Sequence, residues 1–422
     1  MPPVDRRAGQ PPDRGDLRHD LRPAAAAHPG GAVAGGLPPV SRTAVQFGAG
    51  NIGRGFLAQL FHESGLEVVF VEVAPGLVEA LNRERAYTIR IVGPGAREVR
   101  ITGVRAVDGR DSEAVAQELA ACQIACTAVG AAALPRIVPN LARGLLLRHA
   151  RSAPPLNILI CENLHGADAH VRSLVEAHLP AAEAQAILTR TGFVQAVVSR
   201  MVPLQESRPE EPLSLRVEAY KRLPVDAAAV AGQLPPIAGV EPVAGFQAHV
   251  ERKLYTHNCA HAALGYLGWL RGVDCAHLAL EEPVVRETLD AVLAETGTAL
   301  IARHGFDPQE HRAHVADLLT RFANAELGDT CFRLARDPLR KLAPDDRLVG
   351  AARLCESQGI VPAAVARVIG AALRFDSPED PSAVALQRRL REEGLDRVLE
   401  DVCGIDPGEP LGRAVKAAWT SW

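Results

Sequence analysis

Lys253, Asn258 and His261 fall within one short run, residues 250–264 (Val-Glu-Arg-Lys-Leu-Tyr-Thr-His-Asn-Cys-Ala-His-Ala-Ala-Leu). On a helix at about 100° per residue, with Lys253 at zero, His261 lies at about 80° and Asn258 at about 140°. Leu254 and Leu264 fall at about 100° and about 20°, so the three polar groups share an apolar face. A buried lysine, asparagine and histidine are costly unless they bind something. Burial also lowers a lysine's pKa toward neutrality and makes the amine a competent base. A helix with satisfied core polar groups is the plain alternative, and His257, at about 40°, shares the face. The chain has four lysines (221, 253, 341 and 416) against 42 arginines. Arginine could serve at any generic cationic position, so a lysine retained here points to proton transfer.

A second stretch suits a phosphate anion. Residues 43–47 are short and partly β-branched, and Gly48-x-Gly50-x-x-Gly53 follows at once, before a helical run over 56–61. Strand, glycine turn and helix in that order form a dinucleotide cradle, with the helix N-terminus facing the pyrophosphate. The next strand, 66–73, carries Glu72, 19 residues after Gly53, where a carboxylate binds the adenosine ribose hydroxyls. Ala74-Pro75-Gly76 comes next, with no arginine directly after Glu72 to meet a 2′-phosphate, which favours NAD over NADP. A third segment, 333–347, concentrates Arg333, Arg336, Arg340 and Lys341 around Asp337-Pro338, a cluster suited to a substrate phosphate or to a solvated charged face.

The elements that must position these groups alternate over 42–205. Helices are expected at 76–85, 111–121, 134–147 and 167–178, and strands at 122–129 and 156–161. Residues 87–92 and 98–102 read as a small antiparallel insertion by their period-two alternation. Repeated βα units imply a parallel sheet whose ligands gather at the strand carboxyl ends, here Gly48–Gly53, Glu72, 127–130 and 162–163. A short strand at 213–219 marks the crossover to a second domain. From about 240 strand signals vanish, and helices are expected at 244–270, 282–304, 308–323, 345–357, 362–374, 383–393 and 395–402. The fold class is therefore α/β: an N-terminal Rossmann doubly wound sheet with a small insertion over 41–205, then a mainly α-helical C-terminal domain over 206–422. The active site is expected in the cleft between them.

Composition narrows the partners. A formal net charge of −4 and 4 % aromatic residues suggest neither nucleic acid nor a membrane surface. No apolar run reaches the roughly 18–20 residues that span a bilayer. Eight scattered cysteines with no zinc-like pair of CxxC units, and no signal peptide, point to a reduced cytoplasm. Residues 1–40 are rich in Pro, Gly, Ala and Arg. They read as a disordered extension, with a mis-assigned translation start and a true start near Val40.

Several blocks together resemble the polyol-specific long-chain dehydrogenase family, in its sugar-phosphate branch. They are Phe-Gly-Ala-Gly-Asn-Ile-Gly-Arg-Gly-Phe (47–56), Thr-Ala-Val-Gly (127–130), Cys-Glu-Asn (161–163), the Lys-x4-Asn-x2-His run (253–261) and Pro-Leu-Arg-Lys-Leu (338–342). The resemblance runs from about Thr43 to near the C-terminus. It implies a zinc-independent, NAD-linked interconversion of D-mannitol 1-phosphate and D-fructose 6-phosphate, by a monomer. Lys253 matches the family's base, Asn258 and His261 match substrate-binding and oxyanion-stabilising positions, and Asn163 matches a further substrate contact. Cofactor contacts are expected from Phe47, Gly48, Ala49, Gly50, Asn51, Ile52, Gly53, Glu72, Thr127, Ala128, Val129 and Gly130, and phosphate contacts from Arg336, Arg340 and Lys341. The rival readings are another polyol or hexuronate reductase of the family, which has less use for the basic 333–347 segment, and a non-catalytic NAD(H) sensor, against which the three residues in register argue. One departure is Ser199-Arg-Met-Val-Pro203, where the family often has Asp-Arg-Ile-Val-Pro. It removes a carboxylate that would hydrogen-bond on the substrate side or pair with Arg200.

Overall fold

Short, fully buried, β-branched strands can only be covered on both faces, and the chain builds its first half from them. The computed structural model describes residues 42–422 apart from 165, 204 and 206–209. The extension expected over 1–40 lies outside the described residues. Strands β1 (Thr43–Phe47) and β2 (Glu67–Glu72) are followed by β3 (Ala86–Ile91) and β4 (Arg97–Thr102) of the insertion, and by β5 (Val104–Asp108). Then come β6 (Ile124–Thr127), β7 (Leu156–Ile160) and β8 (Thr191–Gln195). Six of them form a parallel sheet in the order β5-β2-β1-β6-β7-β8. The order reverses beside β1, and the crevice at that reversal is where such sheets bind ligands.

Helices cover both faces: α1 (Ala58–Glu63), α2 (Pro75–Glu84), α3 (Ser112–Ala121), α4 (Leu134–Ala150), α5 (Ala167–Glu176) and α6 (Ala181–Thr189). Their ends follow local chemistry. Asp111 caps α3 by accepting the Ala114 N–H at 3.0 Å, and α1 stops at Ser64 before Gly65, whose φ of 73° suits glycine. The insertion is antiparallel, as its alternation implies, and β9 (Leu215–Val217) joins it as a parallel partner of β3. The strand expected at 213–219 is thus shorter and completes this small sheet. Strand structure also persists past 220, where β10 (Leu223–Asp226) pairs in parallel with β11 (Val240–Val243). The sequence hides β11 because Pro242 cannot donate to a ladder and occurs mainly at sheet edges.

The remaining chain is helical. It comprises α7 (Phe246–Arg252), α8 (Cys259–Leu270), α9 (Ala276–Ala279), α10 (Pro283–His304), α11 (Pro308–Phe322), α12 (Cys331–Ala335), α13 (Pro338–Lys341), α14 (Val349–Ser357), α15 (Ala363–Leu373), α16 (Pro381–Glu392), α17 (Leu395–Asp401) and α18 (Pro410–Ser421). The core element is α8, buried almost all round and packed on α10, α12 and α15. The expected single helix over 244–270 is α7 and α8 joined by a π turn, Lys253–Asn258. A second π turn, Gly53–Leu57, opens α1. Among the described residues no helix is long and apolar enough to cross a membrane.

Candidate active site

The glycine loop sorts its three glycines by function. A Cβ on Gly48, at φ 88°, would lie 2.6 Å from the Ala128 carbonyl oxygen, and one on Gly53 would lie 2.1 Å from the Gly48 oxygen. Those two glycines are required by the protein's own packing. A Cβ on Gly50 would meet nothing within 4 Å, so that face is open to a ligand. Phe47 and Ala49 are fully buried beneath the loop, whereas Gly50 and Asn51 are exposed and Ile52 is half-buried. Glu72 ends β2 with its carboxylate on backbone donors, Val73 N–H at 2.8 Å, Ala74 N–H at 3.0 Å and Ala49 N–H at 2.9 Å. The cradle therefore fits a dinucleotide, with room for the pyrophosphate at Gly50 and a carboxylate at the ribose position.

Across β1, the 127–130 loop is braced from below. The buried carboxylate of Glu162 accepts the N–H groups of Val129 at 2.9 Å and Gly130 at 2.8 Å. Thr127 is fully buried and Ala128 is half-buried. Glu162 and its exposed neighbour Asn163 then open onto a cleft of about 370 Å³. The strand ends contribute Glu162, Asn163 and Gln195, and the helical part contributes Lys253, Tyr255, Asn258, Arg340, Asp346 and Arg347.

The π turn explains why Lys253 and Asn258 meet there. The N–H of Cys259 reaches five residues back to the Leu254 carbonyl. A turn closing on the fifth residue brings residue 258 toward the face of residue 253, where an α-helix would hold them about 140° apart. Lys253 keeps only part of its surface accessible within the cleft. Burial, with a contribution from the Arg347 cation, pulls its pKa down to about 8. An amine in that state can exchange a proton near neutral pH.

His261 lies elsewhere. It lines a separate small cavity with Phe322, Asn324 and Asp329, and the structure does not bring it into the lining of the Lys253 cleft. Its ring stacks on Phe322 at 4.2 Å between centroids and meets His257 edge-on at 4.7 Å. Burial, with Arg321 and Arg333 nearby, pushes its pKa down to about 3, so it is neutral. Of the three expected phosphate residues, Arg340 alone lines the cleft. Lys341 is buried, donates its Nζ–H to the Leu334 carbonyl and lies 5.9 Å from the Tyr266 ring centre. Its amphipathic stem fills core space, and burial lowers its pKa to about 7. Arg336 is exposed and outside the cleft lining. Arg347, held by Asp346 at 2.7 Å, is the cleft cation that spacing alone did not single out. Arg200 needs no aspartate at 199. It donates to the Glu218 carbonyl at 2.6 and 2.8 Å, the Gly55 carbonyl at 3.0 Å and Gln59 at 2.7 Å.

A doubly wound parallel sheet with a glycine-turn cradle, facing a helical domain that supplies a perturbed lysine, defines a two-domain dinucleotide-binding protein of the long-chain dehydrogenase type. The Mannitol dehydrogenase Rossmann domain matches residues 42–239, and the Mannitol dehydrogenase C-terminal domain matches residues 246–415. The chain belongs to the mannitol dehydrogenase family. It is 38 % identical over 373 residues to the mannitol-1-phosphate 5-dehydrogenase of Brevibacillus brevis, covering 88 % of this chain and 96 % of that one. It is 38 % identical over 369 residues to the Bacillus subtilis enzyme of the same name, covering 87 % and 97 %. In three dimensions it is similar to Pseudomonas fluorescens mannitol 2-dehydrogenase in a ternary complex with NAD and D-mannitol. The TM-score is 0.72 at 18 % identity, covering 90 % of this chain and 92 % of that chain.

Proposed function

We propose that the protein is an NAD-dependent dehydrogenase interconverting D-mannitol 1-phosphate and D-fructose 6-phosphate, the activity named for its relatives at 38 % identity. The observation that carries the mechanism is a single cleft holding Lys253, with its pKa near 8, beside Asn258, Asn163 and two arginines. In the oxidative direction the neutral Lys253 amine removes the proton of the reacting hydroxyl. The side-chain amides of Asn163 and Asn258 donate to the same oxygen as negative charge develops on it. In the reductive direction the Lys253 ammonium returns the proton to the carbonyl oxygen. Arg340 and Arg347 hold the phosphate at the cleft wall. NAD, when bound in the glycine loop, supplies the hydride acceptor or donor.

All eight cysteines are free thiols, which suits a reducing cytoplasm, and the family resemblance supports a monomer. Light scattering on the purified chain tests the last point. The activity is tested by following NADH oxidation with fructose 6-phosphate, for the native sequence and for Lys253→Ala. Turnover by the first and loss in the second is the expected result. No turnover by either points to a binding protein, and turnover only with an unphosphorylated ketose or a hexuronate points to a sister reductase.

A further inference from the structure

A charge pair at the carboxyl end of β5 has no part in the chemistry above. Asp108 and Glu72 are register partners on adjacent parallel strands. In-register residues share a face of the sheet, about 4.8 Å apart. The next residue, Gly109, donates its N–H to the Glu72 carbonyl at 2.9 Å. A Cβ on Gly109 would lie 3.1 Å from Val73 Cγ1. The backbone at 109 therefore runs against the turn that carries Glu72. Arg110 follows, and Asp108 holds its guanidinium in a fork, Nε to Oδ1 at 2.9 Å and Nη2 to Oδ2 at 2.6 Å. The Arg110 backbone N–H also donates to Oδ1 at 2.9 Å. The arginine side chain is 63 % exposed and the aspartate 37 %, and an ion pair so placed adds little stability.

We propose that Asp108 is a specificity-determining residue for the cofactor: by sequestering Arg110 beside Glu72, it makes the adenosine ribose site refuse a 2′-phosphate. The inference rests on the reading of the glycine loop as a dinucleotide site. A free guanidinium one strand away from the ribose carboxylate would bind a phosphate monoester through both of its parallel N–H bonds. Asp108 occupies the Nε–Nη2 edge of the Arg110 guanidinium and offsets its charge. Glu72, Asp108 and Arg110 together carry one net negative charge, which repels a dianion and tolerates a hydroxyl. Asp108→Asn cancels that charge and releases the fork.

Isothermal titration of the full-length protein with NAD+ and with NADP+ tests this, for the native sequence, Asp108→Asn and Asp108→Asn/Arg110→Ala, with melting temperatures recorded for each. A unit charge change a few ångströms from the phosphate should move the ratio of the two Kd values about tenfold toward NADP+ in the single variant. The double variant should return the ratio to its native value. NAD+ binding with an unmoved ratio in Asp108→Asn overturns the inference, as does a gain that survives removal of Arg110. Absence of binding by either cofactor to the native protein overturns the glycine-loop reading and this inference together.

Discussion

The Glu72 carboxylate accepts the backbone N–H of Ala49 at 2.9 Å, so the end of β2 fixes the glycine loop that follows β1. The carbonyl of Ala49 accepts Arg54 Nε–H at 2.6 Å, so the loop residue is held from both sides. Arg54 is itself buried, donates to the Leu213 carbonyl at 2.7 Å and receives the Tyr87 hydroxyl on its own carbonyl at 2.7 Å. The residue expected to bind ribose therefore also builds the pyrophosphate loop, and the insertion sheet supports that loop from behind. Preorganisation of this kind lowers the ordering cost of binding.

The glycines should separate cleanly under substitution. Gly50→Ala places a methyl group in open space, so its melting temperature should match that of the native protein, while its KM for NAD rises about tenfold or more. Gly53→Ala drives a Cβ into the Gly48 carbonyl and should lower the melting temperature by several degrees, consistent with about 2 kcal/mol of overpacking in a well-packed region. Equal melting temperatures for the two variants would contradict this division.

The pH dependence follows from Lys253. In the proposed mechanism the base is the deprotonated amine, so kcat/KM for polyol oxidation should rise through an apparent pKa near 8 and level off above it. Ketose reduction needs the ammonium and should fall through the same value. Lys253→Ala should lose about two to four orders of magnitude in kcat. The Arg347 cation helps to keep that pKa low, so Arg347→Met should move both profiles upward. A charge several ångströms away in a water-like medium contributes about 0.7 kcal/mol, or about half a pKa unit. A profile that moves downward, or one whose midpoint lies at the free-lysine value in the native protein, would remove the lysine from this role.

What could be read from the chain was local. The glycine loop, Glu72 and the βα alternation announce themselves through spacing within a few dozen residues. Asn258 shares the cleft with Lys253 as the sequence reading has it, but the placement of His261 in a separate cavity was not legible from a 100° wheel, which assumes α geometry where the chain makes a π turn at 253–258. Lys341 reads as a phosphate ligand in a basic run, yet the tight turn from α12 into α13 points it into the helical core. Arg110 lies 38 residues after Glu72, and only the pairing of β2 with β5 brings it to the ribose end. Each of these depends on tertiary neighbours that no window of sequence contains.

The phosphate assignment divides Arg340 from Lys341. Arg340 reaches the cleft but is also engaged by Asp337 at 2.5 Å and Asp346 at 3.4 Å, so the proposed phosphate contact requires it to exchange a carboxylate for the phosphate. Arg340→Ala should raise KM for fructose 6-phosphate about tenfold with a smaller change in kcat, the size of one charge-assisted contact. Lys341→Met keeps the stem that fills the core and should leave that KM within about twofold. A large KM effect in Lys341→Met with an unchanged melting temperature would return the lysine to the phosphate site.

The two halves of the molecule are joined by a buried ion pair. Arg321 at the end of α11 donates to both carboxylate oxygens of Glu218, just after β9, at 2.8 and 2.6 Å, and to the Ser199 carbonyl at 2.5 Å. Its guanidinium also lies 4.2 Å from the Tyr220 ring centre. The Arg321 side chain is 9 % exposed and that of Glu218 is 4 % exposed, so deleting one partner leaves a charge stranded out of water. Arg321→Met should destabilise by about 3–5 kcal/mol in chemical denaturation, because it isolates Glu218. Glu218→Leu/Arg321→Met should cost less than the single change, since neither member of the pair is left buried without the other. Phe322, the next residue, stacks on His261. The single variant should therefore also shift the titration of His261 upward from about 3, as NMR of its ring protons can follow. Equal stability losses in the single and double variants, with an unmoved His261 signal, would mean that the pair contributes packing alone.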